Sequence, residues 1–204
     1  MGPFKLVIAG VGGQGTLLAS RLLAQSAIEA GLHVTIGETY GMAQRGGPVM
    51  SHVHIGGETD NPQMRPGEAD VLLGFEIGEA IRRGVTYLKD GGLALVNRRK
   101  LPPVEVISGL VAYPSEESLI SLLKQVTEDI VIFDATRLAN KAGDPITTNV
   151  VMLGALTESG RLPFSKDMIV TAMKSSLRHA YLELNMRAFD LGKKGFRQAS
   201  EKGL

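Results

Sequence analysis

The 204-residue chain contains no cysteine and no tryptophan. Without thiols it forms no disulfide, offers no thiolate nucleophile, and holds neither cysteine-ligated zinc nor the usual iron–sulfur clusters. Charge of one sign is lacking too: 22 Lys and Arg against 21 Asp and Glu leave a net charge of +1, so nothing global points to nucleic acid. No uninterrupted run of about 18 apolar residues occurs, so no spanning helix is expected. Met1-Gly2-Pro3-Phe4-Lys5 lacks the basic start and apolar stretch of a signal peptide, which makes a cytoplasmic protein the expectation. With 44% hydrophobic and 21% charged residues the chain is not intrinsically disordered. Its length predicts one domain over residues 1–204, with neither linker nor repeat. What is abundant is glycine, 25 residues where ~7% of a chain is usual, and such an excess means tight turns or close backbone approaches.

The hydrophobic pattern alternates between strand and helix. Apolar runs at 4–9, 33–37, 70–75, 93–97 and 130–133 read as strands, and 49–55 alternates as a half-buried strand would. Helices are expected over 14–30, closed by Gly31, over 76–88, from Ser115 to about Thr127, and over 136–141. The segment 104–112 reads as extended, and the C-terminal third as helical over 149–159 and 165–192, with the last dozen residues fraying or packing on a partner. Strand one, helix one and strand two form a βαβ opening. The fold class is therefore α/β, a three-layer, Rossmann-like, mostly parallel sheet with a helical C-terminal third.

Two loops carry the sharpest signals. Gly10-Val11-Gly12-Gly13-Gln14-Gly15 fits G-x-G-x-x-G between a strand and a helix, where glycines let a phosphate approach backbone N–H groups. Glu38 ends strand two, 23 positions beyond Gly15, near the ~20-residue spacing of an acid that binds an adenosine ribose. A dinucleotide site and a loop that merely permits close packing or a subunit contact both fit these residues. The second loop, Thr39 to Pro48, follows the carboxyl end of strand two and contains Gln44-Arg45-Gly46-Gly47. Arg45 is the candidate to hold a phosphate or carboxylate, against the alternative of an ordinary solvated loop.

Other candidates are weaker. His52 and His54 share a strand face and have metal-ligand chemistry, but no third ligand is required to converge with them, whether His33 or Glu58. They are read as packing or interface histidines. Asp134 follows a strand and is read as the cap of the next helix rather than a site acid. Asn149 to Leu156 is apolar on every face, so that helix is expected to be covered all round by the core or by a partner chain.

In combination, VGGQG (Val11–Gly15), YGMAQRGG (Tyr40–Gly47), SHVHIG (Ser51–Gly56), ADVLLGF (Ala69–Phe75), Asp134-Ala135-Thr136 and NVVMLGAL (Asn149–Leu156) resemble the small γ-type subunit of 2-oxoacid:ferredoxin oxidoreductases. The resemblance spans roughly residues 4 to 185 and is strongest to the indolepyruvate branch, where that subunit is called β. It implies an oxidoreductase acting on an oxo group with an iron–sulfur protein as acceptor, active only as part of a complex. A 2-oxoacid, indolepyruvate or another arylpyruvate by the GMAQRGG loop, would be decarboxylated on thiamine diphosphate and its acyl group joined to coenzyme A, with electrons passing to ferredoxin. Thiamine diphosphate, magnesium and iron–sulfur clusters would lie on larger partner subunits. On this chain, Gly10, Gly12, Gly13, Gln14 and Gly15 would form an anion cradle, and Gln44, Arg45, Gly46 and Gly47 a second contact, with Arg45 meeting substrate or coenzyme A. Two rivals stand beside this: a stand-alone NAD(P)-binding oxidoreductase and a purely structural assembly subunit.

Overall fold

The computed structural model describes residues 2–40, 46–57, 61–102 and 104–202. Six strands, β1 (Phe4–Val11), β2 (Val34–Tyr40), β3 (Pro48–Ile55), β4 (Ala69–Gly74), β5 (Leu88–Asn97) and β6 (Ile130–Phe133), form one sheet in the order β2-β3-β1-β4-β5-β6. β1, β4, β5 and β6 pair in parallel, while β3 runs antiparallel to both β1 and β2. The sheet is thus mostly parallel in direction. The expected βαβ opening is modified, because β3 is inserted between the two strands that α1 (Thr16–Glu29) connects.

Alternation along the strands sorts the core into two layers. Leu6, Ile8, Val53, Val71, Leu73, Leu95 and Phe133 face α1 and the C-terminal helices α5 (Ala135–Ala142), α6 (Thr148–Glu158), α7 (Lys166–Ser176) and α8 (His179–Ser200). Val7, Ala9, Leu72, Val96 and Ile132 face α2 (Ile77–Tyr87), α4 (Glu116–Leu123) and Met64 of the long loop after β3. This makes the three-layer arrangement, with the whole C-terminal third stacked on the face of α1.

Three local expectations are corrected. The segment read as extended begins with a short helix, α3 (Val104–Ile107). The single helix expected over 165–192 is two: Leu177 and Arg178 adopt extended conformations that separate α7 from α8. Of the last dozen residues, expected to fray or pack on a partner, those up to Ser200 continue α8, and Gly195 is a packing position where a Cβ would lie 2.6 Å from Leu138 Cδ1. A Cβ on Gly192 would lie 1.9 Å from the Val151 carbonyl oxygen, and one on Gly154 2.1 Å from that of Phe189. The two helices therefore touch backbone to backbone, and α8 is what covers the all-apolar α6, with no partner chain needed.

Candidate functional site

The carboxyl ends of β1 and β4 form the point where the chain departs in opposite directions along the sheet, β1 by way of α1 and β4 by way of α2. Ligands of open α/β sheets bind outside such a switch point. A cleft of about 210 Å³ lies there. Gly12, Gly13 and Gln14 form one wall, Arg99 and Leu101 after β5 a second, and Pro145, Ile146 and Thr148 at the start of α6 a third. A neighbouring cleft of about 240 Å³ is lined by Arg98, Arg99, Asp134 and Thr136, so Arg99 belongs to both.

The glycines of the first loop divide into different roles. Gly10 is enclosed: a Cβ would fall 2.8 Å from the Gln14 Oε1 and 2.9 Å from the Phe75 Cβ. Gly15, at φ 78°, abuts the Asn149 side chain, where a Cβ would meet Nδ2 at 2.6 Å. Gly12 is tied to the second loop, its N–H donating to the Gly47 carbonyl at 2.9 Å and its carbonyl accepting from the Gly46 N–H at 3.4 Å. Gly13 is exposed, at φ 101°, with open space where a Cβ would stand. Among the described residues no acceptor meets the N–H of Gly13 or Gly15, and the first N–H groups of α1 are free by helix geometry. The free donors of this loop are therefore the Gly13 and Gly15 N–H groups and those of the first turn of α1. Gly46 and Gly47 are drawn to it, whereas Gln44 and Arg45 lie outside the described residues.

Gln14 is committed to the scaffold. Its Oε1 accepts from the Val11 N–H at 2.7 Å and its Nε2 donates to the Phe75 carbonyl at 3.1 Å. The same carbonyl accepts from Nδ2 of the fully buried Asn97 at 3.1 Å, and Asn97 Oδ1 accepts from the Ala135 N–H at 3.0 Å. These amides satisfy strand-end groups that have run out of ladder partners, and so hold the floor of the cleft rigid. Glu76, 2% exposed at the end of β4, caps α2 through the Glu79 N–H at 2.7 Å and accepts from the Leu101 N–H at 3.2 Å and the Tyr113 hydroxyl. Burial, then the Glu76 carboxylate, push the Tyr113 phenol up from its ordinary range. Glu76 thereby anchors the 98–113 segment that carries Arg98, Arg99 and Lys100.

Asp134 caps α5, its Oδ1 accepting from the Arg137 N–H at 2.8 Å, yet it also lines the second cleft. His52 and His54 are in the core on the opposite sheet face. His52 stands edge-on to Tyr87 with ring centroids 5.0 Å apart, and its Nδ1 accepts from the Met64 N–H at 3.3 Å. Burial first, then the neighbouring His54 and Arg83, lower His52 to about 4; burial and Lys5 lower His54 as well. His33 is exposed, and Glu58 lies outside the described residues. Glu38 pairs with Ser51 on β3, which places β3 between it and the glycine loop. Two strand spacings, roughly 9–10 Å, separate β2 from β1, so Glu38 does not stand where the ribose acid of a dinucleotide fold stands.

Sequence reasoning missed Glu76, Asn97 and Arg99. The signal for Arg99 was present: a basic run, Arg98-Arg99-Lys100, directly follows a strand whose carboxyl end faces the ligand side.

Fold and cleft together define a doubly wound α/β unit whose first cleft is walled by a glycine loop, a guanidinium and small or apolar side chains, with no carboxylate or imidazole. A family model described as pyruvate ferredoxin/flavodoxin oxidoreductase matches residues 5–195. The chain belongs to that family, as a small subunit of a 2-oxoacid:ferredoxin oxidoreductase. The indolepyruvate oxidoreductase subunit IorB of Pyrococcus horikoshii is 42% identical over 199 residues, which cover 97% of this chain and 98% of that one. Among solved structures, the gamma subunit of a keto/oxoacid ferredoxin oxidoreductase from Geobacter sulfurreducens superposes with a TM-score of 0.68 at 27% identity, over 96% of this chain and 99% of that one. The pyruvate oxidoreductase subunit PORC of Thermotoga maritima gives 0.69 at 26% identity, over 95% and 97%. Among the described residues no helix is long and apolar enough to cross a membrane.

Proposed function

We propose that the chain is the small subunit of a cytoplasmic indolepyruvate:ferredoxin oxidoreductase and that it completes the coenzyme A contact of a larger catalytic partner. The observation that carries this reading is the make-up of the cleft at the β1–β4 switch point. Its walls are backbone donors, Arg99 and small or apolar side chains, with no carboxylate or imidazole to move a proton. Such a surface binds and orients an anion while the chemistry happens elsewhere. Gly13 and the start of α1 suit the diphosphate of coenzyme A, because free N–H donors at a glycine loop approach phosphate oxygens closely. Arg45 on the second loop is assigned the role of a further anion contact, to coenzyme A or to the oxoacid carboxylate.

The residues present do not fit magnesium-bound thiamine diphosphate or a cluster. The sequence has no cysteine, and among the described residues no three metal-ligating side chains converge. Those groups are assigned to the partner, as is the contact with ferredoxin. In the complex the oxoacid is decarboxylated, its acyl group passes to the coenzyme A thiol and two electrons leave to ferredoxin. The substrate assignment rests on the relative named for indolepyruvate. The displacement of Glu38 from the glycine loop argues against a stand-alone NAD(P) enzyme.

The test is omission and add-back. The larger subunit alone is expected to show no coenzyme A-dependent ferredoxin reduction, and this chain to restore it. Indolepyruvate should then be used with a kcat/KM at least about tenfold above pyruvate or 2-oxoglutarate, a discrimination a shaped pocket supplies. Full activity of the larger subunit alone, or micromolar binding of NADH to this chain alone, would overturn the reading.

A further inference from the structure

Arg99 is shared by two clefts of different chemistry, and that difference assigns it a role. The first cleft has free N–H donors at Gly13 and the start of α1, dipoles that suit a phosphodiester-like diphosphate. The second is lined by Arg98, Arg99, Asp134 and Thr136. Arg98 there is already paired with Glu116, its Nε 2.9 Å from Oε1. The guanidinium of Arg99, by contrast, enters no hydrogen bond or ion pair among the described residues. Thr136 accepts from Asn97 Nδ2 at 3.1 Å, which leaves its own O–H free to donate. Asp134 spends one carboxylate oxygen on the Arg137 N–H and has the other left to accept.

We infer that Arg99 is the specificity-determining contact for the 3′-phosphate of coenzyme A, held in the second cleft. The inference rests on the proposed coenzyme A contact and deepens it. A phosphate monoester carries close to two negative charges at neutral pH, and an unpaired guanidinium matches it better than backbone dipoles do. The hydroxyl of Thr136 supplies a second donor. The Asp134 carboxylate repels a bare anion but accepts from the 2′-hydroxyl beside a 3′-phosphate, so the pair of opposite charges suits a phosphorylated ribose better than inorganic phosphate. Seating the ribose there and the diphosphate at Gly13 and the start of α1 uses both clefts for one ligand, with Arg99 at their junction.

The experiment compares coenzyme A with 3′-dephospho-coenzyme A in the reconstituted complex carrying Arg99→Ala, Arg99→Lys or, separately, Ile146→Glu. Arg99 is exposed, so its replacement leaves the fold intact. Ile146, 74% exposed on the wall of the first cleft, brings a carboxylate against the diphosphate. Arg99→Ala should raise KM for coenzyme A about tenfold or more, as loss of a charge-assisted bond does, and leave that for the dephospho form within about twofold. Arg99→Lys should recover part of the loss. Equal rises for both thiol substrates would place Arg99 on the diphosphate and overturn the 3′-phosphate assignment. No change with Arg99→Ala, while Ile146→Glu raises both, would overturn the role of Arg99 and leave the coenzyme A contact standing. No change with either variant would overturn the contact itself.

Discussion

At the scale of single residues, polar side chains in this chain are placed by the strand ends they satisfy. Gln14 lies inside the motif that drew attention to it, and its side-chain amide serves the backbone of Val11 and Phe75. Glu76 and Asn97, which no motif flags, do the same work one and two strands away. Such roles are not legible in a sequence, because they depend on which strand ends become neighbours. The histidines of β3 are a partial success: their shared face and packing role are read from alternation, but not the loop that buries them. Their burial has a pH signature. His52 is held near 4 in the folded chain against about 6.5 when unfolded, so between those values the unfolded state binds more protons. Stability should therefore rise with pH across that window and fall as the solution is acidified through it. Urea midpoints measured from pH 4.5 to 7 should show this slope, and His52→Gln should flatten it. An unchanged slope in the variant would show that other groups set it.

The inserted β3 was within reach of simple arithmetic, since only seven residues separate Tyr40 from Pro48. A parallel partner needs a crossover of a dozen or more residues, so β2 and β3 had to be antiparallel neighbours. What remained hidden is that β3 then pairs with β1 as well. That pairing carries Gly46 and Gly47 to Gly12, which hydrogen-bonds to both. The contact of α6 with α8 was half legible, as an apolar helix in need of cover and as glycines in an otherwise helical tail. Their joint meaning is a backbone-to-backbone crossing. Gly192→Ala should cost about 3 kcal/mol, since overpacking against backbone cannot be relieved by a rotamer change. For a chain of this size that lowers Tm by roughly 6–12 °C. Gly31→Ala, at φ 75° in open space, bears only backbone strain of about 1 kcal/mol and serves as the comparison. Equal shifts for the two variants in a thermal melt would contradict the crossing.

For the molecule as a whole, the missing cysteines and the donor-lined cleft make one argument. A chain with no thiolate cannot carry the clusters that pass electrons, and a cleft with no acid or base does not itself move protons. Both support the proposed reading, in which this subunit holds a ligand for chemistry done by a partner. The glycine excess serves the cleft loop, close packing inside the helical layer and left-handed turn positions such as Gly31, Gly67, Gly91 and Gly160. The most direct measurement is steady-state kinetics of the reconstituted complex carrying Ile146→Glu, a change on an exposed rim that disturbs no packing. The account predicts a KM for coenzyme A raised about tenfold or more by the added carboxylate, with the KM for the oxoacid unchanged. An unaltered KM for coenzyme A in a fully assembled complex would contradict it.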